Sequence, residues 1–323
     1  MSPDPIRSRV LVTGAAGFVG AVVTRRLLDL GHRVLAVDAG DDPRHHRARA
    51  ALVEADWVRA DLLTIDLVEL LDGVDAVVHL AGRPGVQTSW GHGFDDHLAG
   101  NPLLTQRLLE AALVTRPRRL VVASSSSVYG DIPDGLAAED HPLRPLSPYG
   151  VSKLAVEALL HAYVARGVDA VALRFFTVFG RGQRPDMALH RMIDAALGGP
   201  PFPMRGDGRQ ARDVTHVDDV AAAIVAALAA PVRPGTAVNI GAGRPVSVTD
   251  LIERVEAHLL CSVPIVPLTE ASGDPSRTAA DTRLARRLLG WVPRVGLAEG
   301  IADQIEHHVR GDAMFLPTTR ADR

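Results

Sequence analysis

Tyr149 and Lys153 stand four residues apart in the stretch Ser147-Pro148-Tyr149-Gly150-Val151-Ser152-Lys153. Ser147 suits a helix N-cap and Pro148 suits the first helical turn. The tyrosine and lysine then share one helical face, one turn apart. A phenol ordinarily titrates near ~10 and an ammonium near ~10.4. A cation held beside the phenol favours its ionised form, so the tyrosine becomes a usable base near neutrality. Upstream, the run Ser124-Ser125-Ser126-Ser127 precedes Val128-Tyr129-Gly130. A hydroxyl there can hydrogen-bond a substrate oxygen while Tyr149 takes its proton. A Tyr-x-x-x-Lys pair alone is also a common surface pair, so the surrounding elements decide its meaning.

Those elements begin at Arg9 to Thr13, a short apolar strand that enters Gly14-Ala15-Ala16-Gly17-Phe18-Val19-Gly20. An amphipathic helix follows to Leu30 and ends at Gly31; a second strand, Arg33 to Val37, ends at Asp38. Glycines at 14 and 17 let backbone approach a pyrophosphate, and the helix N-terminus at Phe18 and Val19 offers N–H groups. Asp38 would accept both hydroxyls of an adenosine ribose and repel a 2′-phosphate, so NAD is favoured over NADP. The polar segment Arg44-His45-His46-Arg47 reads as a solvated loop rather than a metal site. Further strands are expected at Trp57 to Ala60, closing at Asp61-Leu62, and at Asp75 to Leu80. Asp61 could reach the adenine amino group or serve as a turn residue. Asn101 opens an apolar-striped helix, and Leu120 to Ala123 is a fifth strand delivering the serines. This alternation predicts an α/β fold, a Rossmann-like doubly wound parallel sheet. Loops past the strands' carboxyl ends, including Arg83 to Trp90, are where ligands sit.

The second half changes pattern. Helices are expected at Ala188 to Leu197, His216 to Ala230, Val248 to Leu260, Asp281 to Leu289 and Leu297 to Val309, with a strand at Ala237 to Ile240. Pro264 to Arg277 reads as a loop. The predicted organisation is a dinucleotide-binding domain over 1–177, to which 214–241 returns, and a smaller C-terminal α/β substrate lobe over 178–310. Residues 311–323 read as a flexible tail.

Composition narrows the class. The chain has 323 residues, 47% hydrophobic, which suffices for a large core. A net charge of −3 without a basic stripe argues against nucleic acid. The single cysteine, Cys261, precludes an intrachain disulfide and fits a reducing cytoplasm. No apolar signal core and no membrane-length run is read, so cytoplasmic localisation without a membrane partner is expected. No metal site is expected.

Thr13 to Gly20, Asp38, Ser124 to Gly130 and Tyr149-x-x-x-Lys153 together resemble the extended short-chain dehydrogenase/reductase superfamily, in its nucleotide-sugar epimerase/dehydratase branch. The resemblance continues through Arg212-Asp213, Val217-Asp218-Asp219, Asn239-Ile240-Gly241, Ala280-Asp281 and Leu289-Gly290-Trp291. Ala123 to Gly130, Leu173 to Gly180, Arg184-Pro185-Asp186-Met187 and Gly85-Val86 with Ser89 are similar to the UDP-glucuronate 4-epimerases. The resemblance implies tightly bound NAD, a UDP-sugar substrate and a transient 4-keto intermediate. It gives Tyr149, Lys153 and Ser125 catalytic roles. Gly14, Gly17, Phe18, Val19, Asp38, Asp61, Leu62, Leu80 and Lys153 form the expected cofactor set. Ser126, Ser127 and Thr177 are expected on the sugar carboxylate, with Gly85 nearby, Arg184 at the sugar end and Arg212 on the diphosphate. Arg277 is either a second phosphate arginine or a surface cation; Arg212 could instead pair with Asp213 or Asp218. Those relatives usually carry arginine where this chain has Gln87. No acid stands in the serine run, whereas related 4,6-dehydratases and decarboxylases place carboxylates there. The rivals are an epimerase for neutral sugars such as UDP-glucose and a non-catalytic NAD-binding regulator. A homodimer is expected through the helices at Asn101–Thr115 and Pro148–Arg166.

Overall fold

The computed structural model describes residues 8–268 and 273–310. Six strands lead the chain through its main sheet: β1 (Arg9–Thr13), β2 (Arg33–Val37), β3 (Asp56–Val58), β4 (Ala76–His79), β5 (Arg119–Ser125) and β6 (Ala170–Phe175). The chain then leaves for β7 (Thr177–Phe179), β8 (Phe202–Arg205) and β9 (Ala211–His216), and returns as β10 (Ala237–Ile240). The seven-stranded order is β10-β6-β5-β4-β1-β2-β3, parallel throughout. Strands buried on both faces need continuous apolar runs, and Val10, Leu11 and Val12 are fully buried, as are Ala76, Val77 and Val78.

Helices cover both faces, giving the doubly wound Rossmann-like fold. They are α1 (Phe18–Asp29), α2 (Pro43–Ala51), α3 (Leu67–Leu70), α4 (Gly93–Leu98), α5 (Leu104–Thr115), α6 (Pro148–Val164), α7 (Ala188–Ala196), α8 (Val217–Ala229), α9 (Val248–Leu259), α10 (Arg283–Leu289) and α11 (Leu297–Arg310). Val22, Val23 and Leu27 of α1 and Val220, Ala223 and Ile224 of α8 share one core layer. Leu104, Leu108 and Leu109 of α5 and Val156 and Leu160 of α6 fill the other. A third core joins α7, α9 and α11 over a three-stranded sheet, β11-β9-β7, where β11 is Pro245–Ser247.

Three sequence expectations need correcting. Arg44 to Arg47 lie in α2 rather than a loop, because Asp42 caps the helix by accepting from Arg44 and His45 N–H and Pro43 occupies its first turn. Asn101 does not open its helix. It lies in a π turn, Ala99–Leu103, between α4 and α5, where Pro102 lacks the N–H that a regular turn would use. The apolar stripe at Leu104, Leu108 and Leu109 faces the protein's own core, leaving Leu103 and Val114 exposed. Within Pro264 to Arg277, Ile265–Leu268 forms an exposed strand, β12, parallel to β8. The expected tail, 311–323, lies outside the described residues.

Candidate active site

Glycine 14 takes φ +68°, and a Cβ there would stand 2.8 Å from the amide nitrogen of Ala81. At Gly20 a Cβ would come within 2.0 Å of Gly14 O, so only glycine lets β1 and α1 meet this closely. Gly17 caps α1 without any side-chain bond. The first-turn N–H groups at Phe18 and Val19 therefore have no partner from a capping side chain. Asp38 closes β2, buried, with Oδ2 accepting from Ala16 N–H at 2.9 Å and Oδ1 from Gly40 N–H at 2.7 Å. Leu80 leaves β4 beside this turn, its N–H donating to Thr13 O. An uncapped helix end, a side-chain-free turn and a fixed carboxylate fit a dinucleotide's pyrophosphate and ribose. Leu62 is buried next in line, while Asp61 Oδ1 accepts from Leu63 N–H and its carbonyl from Thr64 and Ile65, a turn residue's bonds.

Helix α6 starts as its sequence requires: Ser147 Oγ accepts from Gly150 N–H at 3.1 Å. A Cβ on Gly150 would stand 2.5 Å from Ser127 O, so this glycine lets the helix lie against the serine turn. Ser125 stands beside the Tyr149 phenol and favours its ionised form. It also donates to Ser127 Oγ at 3.1 Å and accepts from Ser127 N–H at 3.1 Å. Lys153, buried, donates to Ala123 O at 3.0 Å. Burial pushes the Tyr149 phenol up, opposed by the Ser125 hydroxyl and the Arg184 charge. Burial pulls the Lys153 ammonium down to about 8, opposed by Glu157. The expected acidification of the phenol by its lysine is thus corrected here: desolvation outweighs the charges around the phenol.

The neighbouring side chains divide between support and site. Ser124 turns away to Glu157, which pairs with Arg174 at 2.7 Å. Arg174 also donates to Tyr129 Oη at 2.7 Å and lies over that ring, and Tyr129 Oη donates to Asn239 Oδ1 at 2.7 Å. Ser126 is buried, and Ser127 and Thr177 are half-buried, Thr177 opening β7 opposite Val214. Gly85 holds φ +118° in the loop after β4.

Arginine 184 pairs bidentately with Asp186, both bonds 2.9 Å. Arg212 pairs with Asp274 at 2.7 Å, not with Asp213 or Asp218. Asp213 instead accepts from the backbone of Ala242, Gly243 and Ala280, and Asp218 pairs with Arg181. Arg277 is tied to carbonyls, Ile132 O at 3.1 Å and Gly135 O at 2.7 Å, and so clamps the 131–135 loop.

Two neighbours escaped the sequence reading. His97 is buried with its ring edge-on to Tyr149, centroids 5.7 Å apart. Asn101 Nδ2 donates to Ser152 Oγ at 2.9 Å, and Ser152 Oγ donates to Tyr149 O at 2.7 Å, linking the π turn to α6. Pro102 was the available signal, since a proline in an apolar-periodic stretch marks a distorted turn. Among the described residues, no group of three or more His, Cys, Asp or Glu side chains could hold a metal.

The arrangement presents a base candidate, a hydroxyl partner and a dinucleotide cradle at one sheet edge, as an NAD-dependent oxidoreductase-type site requires. Residues 10–241 match the NAD dependent epimerase/dehydratase family, and the chain belongs to that family. It is 40% identical over 308 residues to a Bacillus subtilis protein described as an uncharacterised UDP-glucose epimerase, covering 93% of this chain and 97% of that one. The UDP-glucuronic acid 4-epimerase of Bacillus cereus, solved with UDP-glucuronic acid and NAD, superposes with a TM-score of 0.90 at 38% identity, covering 94% of this chain and 99% of the other. MoeE5, solved with UDP-glucose and NAD and again with UDP-glucuronic acid and NAD, superposes at 0.88 with 43% identity and the same coverage. The chain is therefore an NAD-dependent nucleotide-sugar enzyme of the epimerase/dehydratase type.

Proposed function

We propose that the chain interconverts UDP-glucuronate and UDP-galacturonate by inverting C4. The observation that carries this reading is the serine turn: Ser125, Ser126 and Ser127, beside Tyr149, offer hydroxyls and no carboxylate. A glucuronate oxidised at C4 is a β-keto acid prone to lose carbon dioxide. Neutral donors can hold its carboxylate against that loss, whereas an acid in the turn would repel it.

Under this reading Gly14, Gly17, Phe18 and Val19 hold the cofactor pyrophosphate, Asp38 the adenosine ribose, and Leu62 and Leu80 flank the adenine side. NAD supplies a reversible hydride acceptor. Tyr149 removes the C4 hydroxyl proton and later returns it, Ser125 hydrogen-bonds the C4 oxygen, and Lys153 orients the cofactor. Ser126, Ser127 and Thr177 hold the uronate near Gly85. Arg184 and Arg212 exchange Asp186 and Asp274 for the sugar end and the diphosphate, a trade suited to guanidinium. The division of labour follows the chain: 1–177 with 214–241 for the cofactor, 178–310 for the sugar nucleotide. A cytoplasmic homodimer completes the proposal. No described helix is long and apolar enough to cross a membrane.

A neutral-sugar reading is favoured by one feature. Gln87 is exposed in a short 3₁₀ turn of the loop after β4 and brings no charge for a uronate. Purified protein given UDP-glucuronate and UDP-glucose separately, without added cofactor, decides. UDP-galacturonate from the first and little turnover of the second supports the proposal; turnover of UDP-glucose alone overturns it.

A further inference from the structure

Helix α2 meets α7 and α11 across a cavity of about 210 Å³. Its titratable lining is basic: Arg44 and Arg47 from α2, His190 from α7, His307 and His308 from α11. Among the described residues no carboxylate lines it. Two amides complete the polar wall and are already engaged. Gln304 Nε2 donates to Gln183 Oε1 at 2.8 Å, Gln304 Oε1 accepts from Gly180 N–H at 2.8 Å, and Gln183 Nε2 donates to Val178 O at 3.0 Å. The wall is thereby fixed.

The imidazoles are oriented as well. His190 Nδ1 lies 3.0 Å from Gln183 O and His307 Nδ1 lies 2.9 Å from Asp303 O. A carbonyl only accepts, so each ring carries its proton on Nδ1 and keeps Nε2 for another partner. The rings of His190 and His308 meet edge to face at 4.7 Å. The charged groups facing them are Arg44 from α2, Asp194 from α7, 3.6 Å from His308, and Asp303 from α11, 3.6 Å from His307. Asp303 is shared with Arg181 and His216, and Asp42 holds one Arg44 nitrogen at 2.7 Å. Burial, the neighbouring His308 and Arg44 push the His190 imidazole down, against Asp194 and the Gln183 hydrogen bond.

We propose that this cavity binds a small tetrahedral oxyanion, of the sulfate and phosphate class, separately from the dinucleotide. Five basic groups without a lining acid suit such an anion. Because Gln183 adjoins Arg184, an anion here would brace the loop that carries that arginine. The same chemistry could come from the cofactor's own pyrophosphate, and the test separates the two. Protonated rings and a bound anion favour one another, so affinity rises as pH falls through the histidine range.

The experiment is calorimetric titration of the NAD-loaded full chain with sulfate, at chloride-matched ionic strength, near pH 6 and near pH 8. One-to-one binding is expected, up to about tenfold tighter near pH 6, the limit set by a rise of about one unit in one ring. Arg47→Gln, at an exposed position, and the double variant Arg47→Gln/His308→Asn should weaken it about tenfold or more with NAD content unchanged. Absence of binding, or unaltered affinity in the variants, overturns the proposal. So does binding confined to NAD-stripped protein, or loss of NAD from the variants, either of which assigns the basic wall to the cofactor.

Discussion

Replacing Ser127 with glutamate tests the serine turn by charge alone when Ser127→Gln serves as its uncharged counterpart. Ser127 Oγ lies 3.1 Å from Ser125 Oγ, which stands beside the Tyr149 phenol, so the new carboxylate would sit within the proposed sugar site. Two like charges about 5 Å apart at an effective dielectric of about 20 repel by roughly 3 kcal/mol. Since 1.4 kcal/mol is about tenfold, the glutamate variant should lose about a hundredfold in kcat/KM for UDP-glucuronate relative to the glutamine variant. A carboxylate here also disfavours the Tyr149 phenolate, but that penalty falls equally on any sugar. The readout is therefore the ratio of kcat/KM for UDP-glucuronate to that for UDP-glucose, measured for both variants by product chromatography. A ratio that does not move between glutamate and glutamine would refute the placement of a substrate carboxylate at this turn.

Other outcomes follow from the same geometry. Tyr149→Phe should cut turnover by about 10²–10⁴-fold while NAD stays bound, read as cofactor released on denaturation; near-normal turnover removes the base. Buried His79, bonded to Thr13 at 2.8 Å and Thr105 at 3.2 Å, is pushed down to about 3 by burial and then by Lys153. The folded state therefore binds fewer protons than the unfolded one between about pH 3 and about pH 6.5, and stability falls as pH falls through that window. The loss from this group is about 2 kcal/mol at pH 5, so His79→Gln should flatten the change in urea midpoint from pH 7 to pH 5, and parallel profiles would contradict the linkage. Light scattering should give a dimer mass that Val114→Asp reduces, because Leu103, Val114 and Val151 leave α5, α6 and the π turn with exposed apolar groups; a monomeric wild type would exclude it.

What could be read from the sequence was local. The β1–glycine turn–α1–β2 unit carries its instructions within thirty-odd residues: buried valines, a glycine with positive φ and a closing aspartate. The Ser147 cap and the spacing of Tyr149 and Lys153 were equally legible. Helix α2 was not, because its only buried residue is Ala48 and its cap, not its periodicity, defines it. Strand β12 is exposed throughout and its pairing with β8 lies some sixty residues away in sequence. The partner of Arg212 is equally remote, at Asp274, where no spacing rule reaches. The direction of the Tyr149 shift was misjudged because it is set by burial, which neighbouring residue types do not reveal.

Helix α6 is tied to its surroundings at three places: Ser152 to Asn101, Glu157 to Arg174, and Tyr163 to Gln106 at 2.9 Å. Three ties spread over four turns oppose sliding and rolling, so the phenol the helix carries addresses one side of the cleft. Inversion at a carbon needs both sides visited. Under the proposed inversion the motion then falls to the guest: the sugar ring would swing about its phosphate tether while α6 keeps its place.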